Sequence, residues 1–351
     1  MSGRKKPRRL FNSHLVTVVL TVAALTCSCS RAREDRSHEA RIPVIGVATY
    51  GAHPILDVIA DAFKAGLHAR GYEDGKNARI LWKSVEGDVN LASAVARSLV
   101  ESNANVIVSI TTPVSQAVAR AARGKVPVVF CGVTDPIGAG LVSSWENTPG
   151  SGITGTSDRW PYAEQLDLIK AIVPKARRVG FPYNAGEANS RYALEQILPL
   201  AAARGFEIVP AVVTSMADVR RAAESLADRG VNAIYVSSDN TVMAGFEAVL
   251  KVAHQRKIPV IVGESANVER GGLATYSVDY RRLGDATADL VVRVLKGEDP
   301  GRIPVVTFHG EQLYLNEEAA RRMGVSLPPQ LRTKAFKIYG APAASRERQQ
   351  E

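Results

Sequence analysis

Two threonines and a proline follow an apolar run in the first half of the sequence. Thr111-Thr112-Pro113 comes directly after Val106 to Ile110, with Thr112 expected as a helix N-cap and Pro113 at the first helical position. The free backbone N–H groups of such a turn, together with the two hydroxyls, could bind a carboxylate. Simple helix capping would use this tripeptide equally well, so both roles stay open.

Three further loops carry hydroxyl, amide and carboxylate side chains. Thr134-Asp135-Pro136 follows the next apolar run. Asp135 is expected to cap a helix there, and its carboxylate would also face a cleft. The segment from Ser237 to Asn240 repeats this pattern in the second half, and the loop from Tyr183 enters a helix at Asn189 or Ser190. Four such loops at corresponding strand ends would place polar groups on both walls of one cleft.

Motifs for catalysis and metal binding fail on their spacing. Gly263 to Asn267 lacks the last glycine of a nucleophile elbow, and Gly71 to Asn77 has the wrong spacing for a phosphate-binding loop. The histidines lack the pairing of metal ligands, and His53 is expected to pack at the entry of a predicted helix. The sequence therefore predicts no enzyme activity, no metal site and no cofactor.

The charge of the chain argues against nucleic acid as a partner. The 351 residues carry a formal net charge of +9, but five basic and no acidic residues precede position 28, which leaves +4 for the remainder. Nucleic-acid-binding proteins typically carry a strongly basic patch, and no basic run interleaved with aromatic residues occurs later in this sequence. DNA-binding and RNA-binding functions are therefore disfavoured.

The first 28 residues have the pattern of an export signal. A basic head that includes Arg8 and Arg9 precedes an apolar segment from Leu15 to Leu25, about 11 residues long, which is too short to span a bilayer as a helix. Cleavage is expected before Cys29, which would carry a lipid, with Cys27 or cleavage without lipidation as alternatives. The arginine pair also leaves a twin-arginine export route open.

From Ile42 onward, short β-rich runs alternate with helical patterns. This alternation is typical of parallel sheets that are covered by helices on both faces. The pattern occurs twice, so two doubly wound, Rossmann-like α/β lobes are predicted. The predicted strands are 44–49, 79–85, 106–110, 126–133, 178–183, 206–213, 233–237, 259–263 and 305–308, and the predicted helices are 55–70, 91–102, 114–123, 189–204, 217–229, 242–255, 283–296 and 317–323.

Two segments have the composition of hinges between the lobes. Ser151 to Thr156 combines glycine with β-branched residues, as an extended crossover would, and another predicted strand near Tyr276 to Asp279 leads into a helix. Cys131 lies in an apolar run and is expected to be a buried, inert thiol. The predicted division is 1–28 for the signal peptide, 29–41 for a tether, 42–155 plus 276–305 for the N-terminal lobe, 156–275 plus 306–340 for the C-terminal lobe, and 341–351 for a disordered tail.

Six groups of residues occur in the order expected for a known family. They are His53 to Asp57, Gly71 to Asn77, Val128 to Phe130 with Thr134 to Pro136, Tyr183-Asn184 with Gly186 to Ser190, Ser238 to Thr241, and Val278 to Tyr280. Over roughly residues 42–331 the chain resembles the substrate-binding lipoproteins of ABC importers related to the tryptophan- and tyrosine-binding proteins. The resemblance implies a type I periplasmic-binding-protein fold, in which two lobes joined by three crossovers close on a small molecule. The third crossover would lie near Val306 to Phe308.

The resemblance also implies an amino acid ligand, often an aromatic one. Its carboxylate would meet Thr111, Thr112 and the helix N-terminus behind them, while Asp239, Asp135 or Asp279 would pair with its ammonium group. Polar contacts alone give too little binding energy, so a side-chain pocket and lobe closure must contribute. The other candidate contacts are Tyr50, Trp160 and Tyr183 as walls, with Thr134, Asn189, Ser190 and Asn240 in the cleft loops.

The partners expected from this resemblance are a small-molecule ligand and an ABC permease in the membrane. We expect an exported monomer of the periplasm or cell envelope that touches the membrane through a lipid anchor only. Two other classes stay open at the level of sequence. One is a sensor that reports the same kind of ligand to a signalling protein, and the other, with less support, is an exported enzyme on a two-lobed scaffold.

Overall fold

The structure, a computed structural model, describes residues 42–340 apart from 52, 147 and 148, together with residue 3. The predicted signal peptide, the lipidated Cys29 or Cys27, the tether and the tail lie outside the described residues. Within the described ranges, no helix has both the length and the apolar character needed to cross a membrane.

The first part of the chain alternates strands with helices, and its central strand is buried at every position from Val106 to Ile110. Such a continuous apolar run is typical of a parallel strand that is covered on both faces. The elements are β1 (Val44–Thr49), α1 (Pro54–Ala69), β2 (Arg79–Ser84), α2 (Ala92–Glu101), β3 (Val106–Ile110), α3 (Thr112–Ala122), β4 (Val128–Cys131) and β5 (Ile153–Arg159).

The same alternation continues through the second part of the chain. The single helix predicted over 242–255 is instead two helices that meet at Gly245, and the first of them starts at Asn240 because Asp239 caps it. The elements are α4 (Tyr162–Ile172), β6 (Arg178–Asn184), α5 (Ala188–Ala203), β7 (Glu207–Val213), α6 (Val219–Asp228), β8 (Ala233–Val236), α7 (Asn240–Ala244), α8 (Phe246–Arg256), β9 (Val260–Val262), α9 (Ser265–Glu269) and β10 (Ala274–Ser277).

The last part of the chain returns to both halves of the fold. A long helix follows β10, and two short strands that the sequence did not predict lie near the end. The elements are α10 (Tyr280–Leu295), β11 (Val306–His309), β12 (Gln312–Asn316), α11 (Glu317–Met323), α12 (Pro329–Lys334) and β13 (Lys337–Tyr339).

Two sheets organise these elements. The first has six strands in the order β11-β5-β4-β3-β1-β2, and every neighbouring pair is parallel. The second has seven strands in the order β13-β12-β10-β9-β8-β6-β7. Only the β12–β10 pair is antiparallel among these neighbours, so β12 and β13 run opposite to the other five strands. Each sheet has its own large hydrophobic core. The predicted architecture of two doubly wound α/β lobes is therefore confirmed.

The chain passes between the two sheets three times, after β5, after β10 and after β11. The lobe boundaries at 155, 275 and 305 stay a prediction. The strands that precede the three crossings end a few residues later, at Arg159, Ser277 and His309. Helix α10 returns to the first lobe and packs closely on α1. The two helices approach so closely at Gly284 that an added Cβ atom there would lie 2.6 Å from the Ile59 carbonyl oxygen. Three connections thus join two lobes that each have their own hydrophobic core.

Candidate functional site

A cavity of about 240 Å³ lies where the carboxyl ends of the two sheets face each other. Residues that follow β1, β3 and β4 form one wall, and residues that follow β6, β8 and β9 form the other. Ligands of open α/β sheets bind at this end of the strands. The volume is below the roughly 300–1,000 Å³ typical of pockets for drug-sized ligands, so it suits one small metabolite.

Seven of the twelve residues predicted as ligand contacts line this cavity. Their contact with a ligand stays a prediction, but the fold does bring their side chains together. Burial raises the pKa of Tyr50 to about 12, so its phenol keeps its proton and can donate a hydrogen bond. The seven are Tyr50, Thr111, Thr112 and Thr134 from the first lobe, and Asn189, Asp239 and Asn240 from the second.

Two predicted acidic contacts, Asp135 and Asp279, do not line the cavity. No helix follows β4 directly, and the Asp135 carboxylate accepts a hydrogen bond from the Gly138 N–H at 3.0 Å within a turn. Asp279 is the N-cap of α10, where it accepts from the backbone N–H of Arg281 and Arg282 at 3.1 and 3.2 Å. Both carboxylates satisfy local backbone donors, which is the capping role that such positions favour.

Three other predicted residues also lie behind the cavity wall. Tyr183 packs on the second core, with its ring 5.8 Å from that of Phe181. Ser190 is buried and donates to Asp239 Oδ2 at 2.6 Å, so it supports a wall residue. The Trp160 ring packs directly against Gly263. A Cβ atom added at Gly263 would lie 1.3 Å from the indole ring, so only glycine leaves room for it. None of the three is among the lining residues, so the aromatic walls proposed from sequence reduce to Tyr50.

Thr111 has an unusual backbone conformation at the end of β3. It is the N-cap of α3, one residue earlier than predicted, with φ 82° and ψ 157°, a region that is almost restricted to glycine. Its carbonyl accepts from Ser115, whereas its buried hydroxyl has no hydrogen-bond partner among the described residues. A buried polar atom without a partner carries a desolvation cost, which a ligand could remove. The strained residue therefore presents a free hydroxyl at the cavity.

Asp239 is the most enclosed carboxyl of the second wall. It accepts from Asn184 N at 2.5 Å, from Ser190 Oγ at 2.6 Å and from Val242 N at 2.8 Å. Burial, and next the neighbouring Glu187 carboxylate, raise the pKa of Asp239 to about 7. Both of its oxygens already have protein donors, so Asp239 has little capacity left for a ligand.

Glu187 holds the loop behind Asp239 in place. The helix that the sequence predicted to start at Asn189 or Ser190 starts at Ala188, with Glu187 as its N-cap residue. The Glu187 carboxylate accepts four hydrogen bonds from the backbone and side chains of Asn240 and Thr241, at 2.6 to 3.1 Å. This carboxylate therefore fixes the N-terminus of α7 at the cavity edge.

Asp158 joins the cavity to the first crossing between the lobes. This residue of β5 lines the cavity and accepts from Tyr280 Oη at 3.0 Å, from Trp160 Nε1 at 3.1 Å and from Thr134 Oγ1 at 3.4 Å. Burial raises the pKa of its carboxyl, an effect that these donors partly oppose. Its partners lie on both sides of a crossing, so Asp158 couples the cavity to the hinge.

Glu264 and His53 face each other across the cavity. His53 is the N-cap of α1, as its expected packing at a helix entry suggested, and its Nδ1 accepts from Ile55 N at 3.3 Å. Its Nε2 lies 3.6 Å from Glu264 Oε2 of the other lobe. Burial lowers the pKa of His53 to about 4 and raises that of Glu264 to about 8. The two groups bring complementary polar atoms from the two lobes close together.

The remaining lining is largely apolar and carries no strong cation. Lysine and arginine are absent from the residues around this cavity in the described part of the chain. Its acidic members include the buried Asp158, Asp239 and Glu264. No side chain that is cationic near pH 7 therefore lines the cavity in the described part of the chain. The large apolar side chains at the cavity are Ile55, Leu56, Ile59, Ile110, Met216 and Met243.

This chain is similar in sequence to one curated protein, and in sequence and fold to two solved structures. The chain is 33% identical over 279 residues to the tyrosine-binding protein of Clostridioides difficile, covering 80% of each protein. A structure of an ABC domain in complex with L-Trp from Streptococcus pneumonia is 32% identical, with a TM-score of 0.81 over 84% of this chain and 99% of that one. A ligand-free, open structure of a substrate-binding protein from Clostridium difficile is 30% identical, with a TM-score of 0.62 over 86% of this chain and 100% of that one.

The two structural matches differ in TM-score although their sequence identities are similar. This chain therefore superposes better on the L-Trp complex than on the open protein. The model of a family described as ABC transporter substrate-binding protein matches residues 44–339, nearly all of the described chain. The chain therefore belongs to the ABC transporter substrate-binding proteins, a family of solute-binding proteins with the type I periplasmic-binding-protein fold.

Proposed function

We propose that this protein is the extracytoplasmic binding component of an ABC importer for an α-amino acid, with aromatic amino acids preferred. The composition of the cavity carries this proposal. It combines buried carboxyls, an unpaired hydroxyl at a helix N-terminus and apolar side chains, without lysine or arginine among the lining residues. A zwitterion with an apolar side chain has a matching group for each of these features.

The ligand carboxylate is assigned to the start of α3. Thr111 and Thr112 offer two hydroxyls there, and the first backbone N–H groups of a helix favour an anion. Neutral donors of this kind can hold a carboxylate without a basic side chain. Tyr50, Thr134, Asn189 and Asn240 are proposed as further polar contacts, and the Asn189 Oδ1 atom is a buried acceptor for which the described residues supply no donor.

The preference for aromatic amino acids rests on the relatives and on the apolar lining. One relative is named for tyrosine and another was solved with L-Trp, at 33% and 32% identity. The wall contributed by Ile55, Leu56 and Ile110 would contact the ligand side chain, since burying apolar area contributes about 25 cal/mol per Å². The closed lobes would then present the ligand to a permease, with the protein exported and anchored through Cys29 or Cys27.

A thermal-shift screen of the purified protein tests this function. L-tryptophan and L-tyrosine should raise the midpoint of unfolding more than L-alanine, and sugars such as glucose should leave it unchanged. A ligand at 100 times its dissociation constant stabilises the folded state by about 2.7 kcal/mol, which is readily measured. Stabilisation by a sugar and by none of the twenty amino acids would contradict the proposal.

A further inference from the structure

Three buried carboxyls line the cavity, and they differ in how many donors they already have. Asp239 accepts three hydrogen bonds and Asp158 accepts three, all from neutral groups. Glu264 has one donor within hydrogen-bond distance among the described residues, the Asn267 Nδ2 group at 3.3 Å. Its side chain therefore keeps acceptor capacity that the protein does not use.

No cation of the protein neutralises Glu264 at short range within the described structure. Arg270 lowers its pKa through charge, but the Arg270 guanidinium pairs with Glu247 at 3.2 Å and donates to Asn267 Oδ1 at 2.7 Å. His53 is neutral near pH 7, and because its Nδ1 accepts a hydrogen bond, its proton is on Nε2. A buried carboxylate without a cationic partner is costly, so a positively charged ligand group would stabilise it.

We propose that Glu264 is the residue that binds the ligand's ammonium group, in place of Asp239, Asp135 or Asp279, the three candidates from the sequence. This assignment rests on the amino acid function proposed above and names the residue that selects for the amine. Glu264 lies at the end of β9 on the second wall, opposite Thr111 and Thr112 on the first. An amino acid bound by both ends would therefore contact both lobes and favour the closed arrangement.

Binding of an ammonium group to Glu264 releases a proton. The ligand-free Glu264 carboxyl is largely protonated near pH 7, because burial and next the Asp158 charge raise its pKa to about 8. The other titratable groups around it are His53, Arg270 and Tyr280. The Glu264 acid and the ammonium cation become a carboxylate–ammonium pair, and the acid proton leaves to solvent. Affinity should therefore fall as the pH is lowered below 8, by up to tenfold per unit.

Calorimetric titration of Glu264→Gln against the wild-type protein tests the assignment. L-tryptophan should bind Glu264→Gln at least tenfold more weakly at pH 8, whereas indole-3-propionate, which lacks the amine, should bind both proteins equally. Wild-type binding of L-tryptophan at pH 7 should release about one proton, measured by the dependence of the binding enthalpy on buffer ionisation. Glu269→Gln, an exposed acid on the same helix α9, is the matched control and should behave like wild type.

The possible outcomes separate this assignment from the proposed function. If L-tryptophan and L-tyrosine fail to bind the wild-type protein, the amino acid function itself is wrong. If they bind both proteins with equal affinity and the same pH dependence, Glu264 is not the ammonium site and the function stands. Glutamine has the shape of the protonated acid, so the folded state should be retained, and a thermal melt of the variant checks this.

Discussion

Thr111 combines backbone strain with a free hydroxyl at the cavity, and the two properties can be separated by substitution. The backbone conformation of Thr111 costs a residue with a Cβ about 1–3 kcal/mol. Glycine adopts this conformation without strain, whereas alanine keeps the Cβ and therefore the strain. We expect Thr111→Gly to unfold at a higher urea concentration than Thr111→Ala, although both lose the hydroxyl. A less stable glycine variant would show that the strain is not present.

Loss of the hydroxyls at positions 111 and 112 should weaken binding while the fold is retained. The double variant with alanine at both positions is expected to bind L-tryptophan at least tenfold more weakly by calorimetry, since a hydrogen bond to a charged group contributes about 1.5–3 kcal/mol. Unchanged affinity would remove the carboxylate role from both threonines.

The buried carboxyls should make the ligand-free protein less stable as pH rises. Burial raises the pKa of Glu264 to about 8 and that of Asp239 to about 7, whereas both ionise near pH 4 in the unfolded chain. The folded state therefore binds more protons in this range, so the free energy of unfolding falls as pH rises. His53, with its pKa lowered to about 4, has the opposite effect, but only below about pH 6.5.

Urea unfolding between pH 6.5 and 8 isolates the contribution of the carboxyls. We expect the free energy of unfolding to decrease by about 2 kcal/mol over this interval, and by less in Glu264→Gln. A free energy that increases over the same interval would mean that these carboxyls are ionised in the folded, ligand-free protein.

The sequence could predict cavity residues where a loop contained several polar side chains, but it missed isolated acids. Thr111, Thr112 and Asn240 lie in loops with neighbouring polar residues, and the fold brings them to the cavity. Asp158 lies within β5, in what was interpreted as the region of a crossover, and Glu264 belongs to a motif rejected as a nucleophile elbow. The available signal was an acidic residue at the end of a buried parallel strand, where water is excluded.

Among the elements, the contact between Trp160 and the end of β9 is the most sensitive to a small change. A Cβ at Gly263 would lie 1.3 Å from the Trp160 ring, so Gly263→Ala must displace the indole and its hydrogen bond to Asp158. We expect a loss of about 1–3 kcal/mol in the free energy of unfolding, as for other overpacked sites, together with weaker L-tryptophan binding. Gly46→Ala is the control, because the tightest contact of its new methyl would be the flexible Leu99 side chain at 3.3 Å, with Ile107 and Ala104 at ordinary contact distances of 3.5 and 3.6 Å.

Strands and helices with strong periodicity were predictable, and their exact limits were not. β1 and β3 have the predicted limits, because their apolar runs end abruptly at polar loops. Helix α4 was missed although Leu166, Ile169 and Ile172 follow helical spacing, since the preceding segment was interpreted as a crossover. The short strands β12 and β13 depend on pairing with β10 and with each other, which local sequence does not specify.

At the scale of the whole molecule, the proposed closure of the lobes around a ligand would bend the three crossings between the sheets. The sequence predicted two lobes and their crossovers from alternating patterns, but not the cross-cavity approach of His53 and Glu264, which depends on how the lobes meet. This chain superposes better on the L-Trp complex than on the open, ligand-free protein, and we propose that the structure described here has the closed arrangement. Ligand binding should therefore shift a population of open molecules towards this arrangement.

Small-angle X-ray scattering of the purified protein during titration with L-tryptophan tests the central claim most directly. The account predicts a radius of gyration that decreases as the cavity fills, until the curve matches the closed structure described above. A radius of gyration that stays constant at saturating concentrations of L-tryptophan and of L-tyrosine would contradict a two-lobed protein that closes on an amino acid.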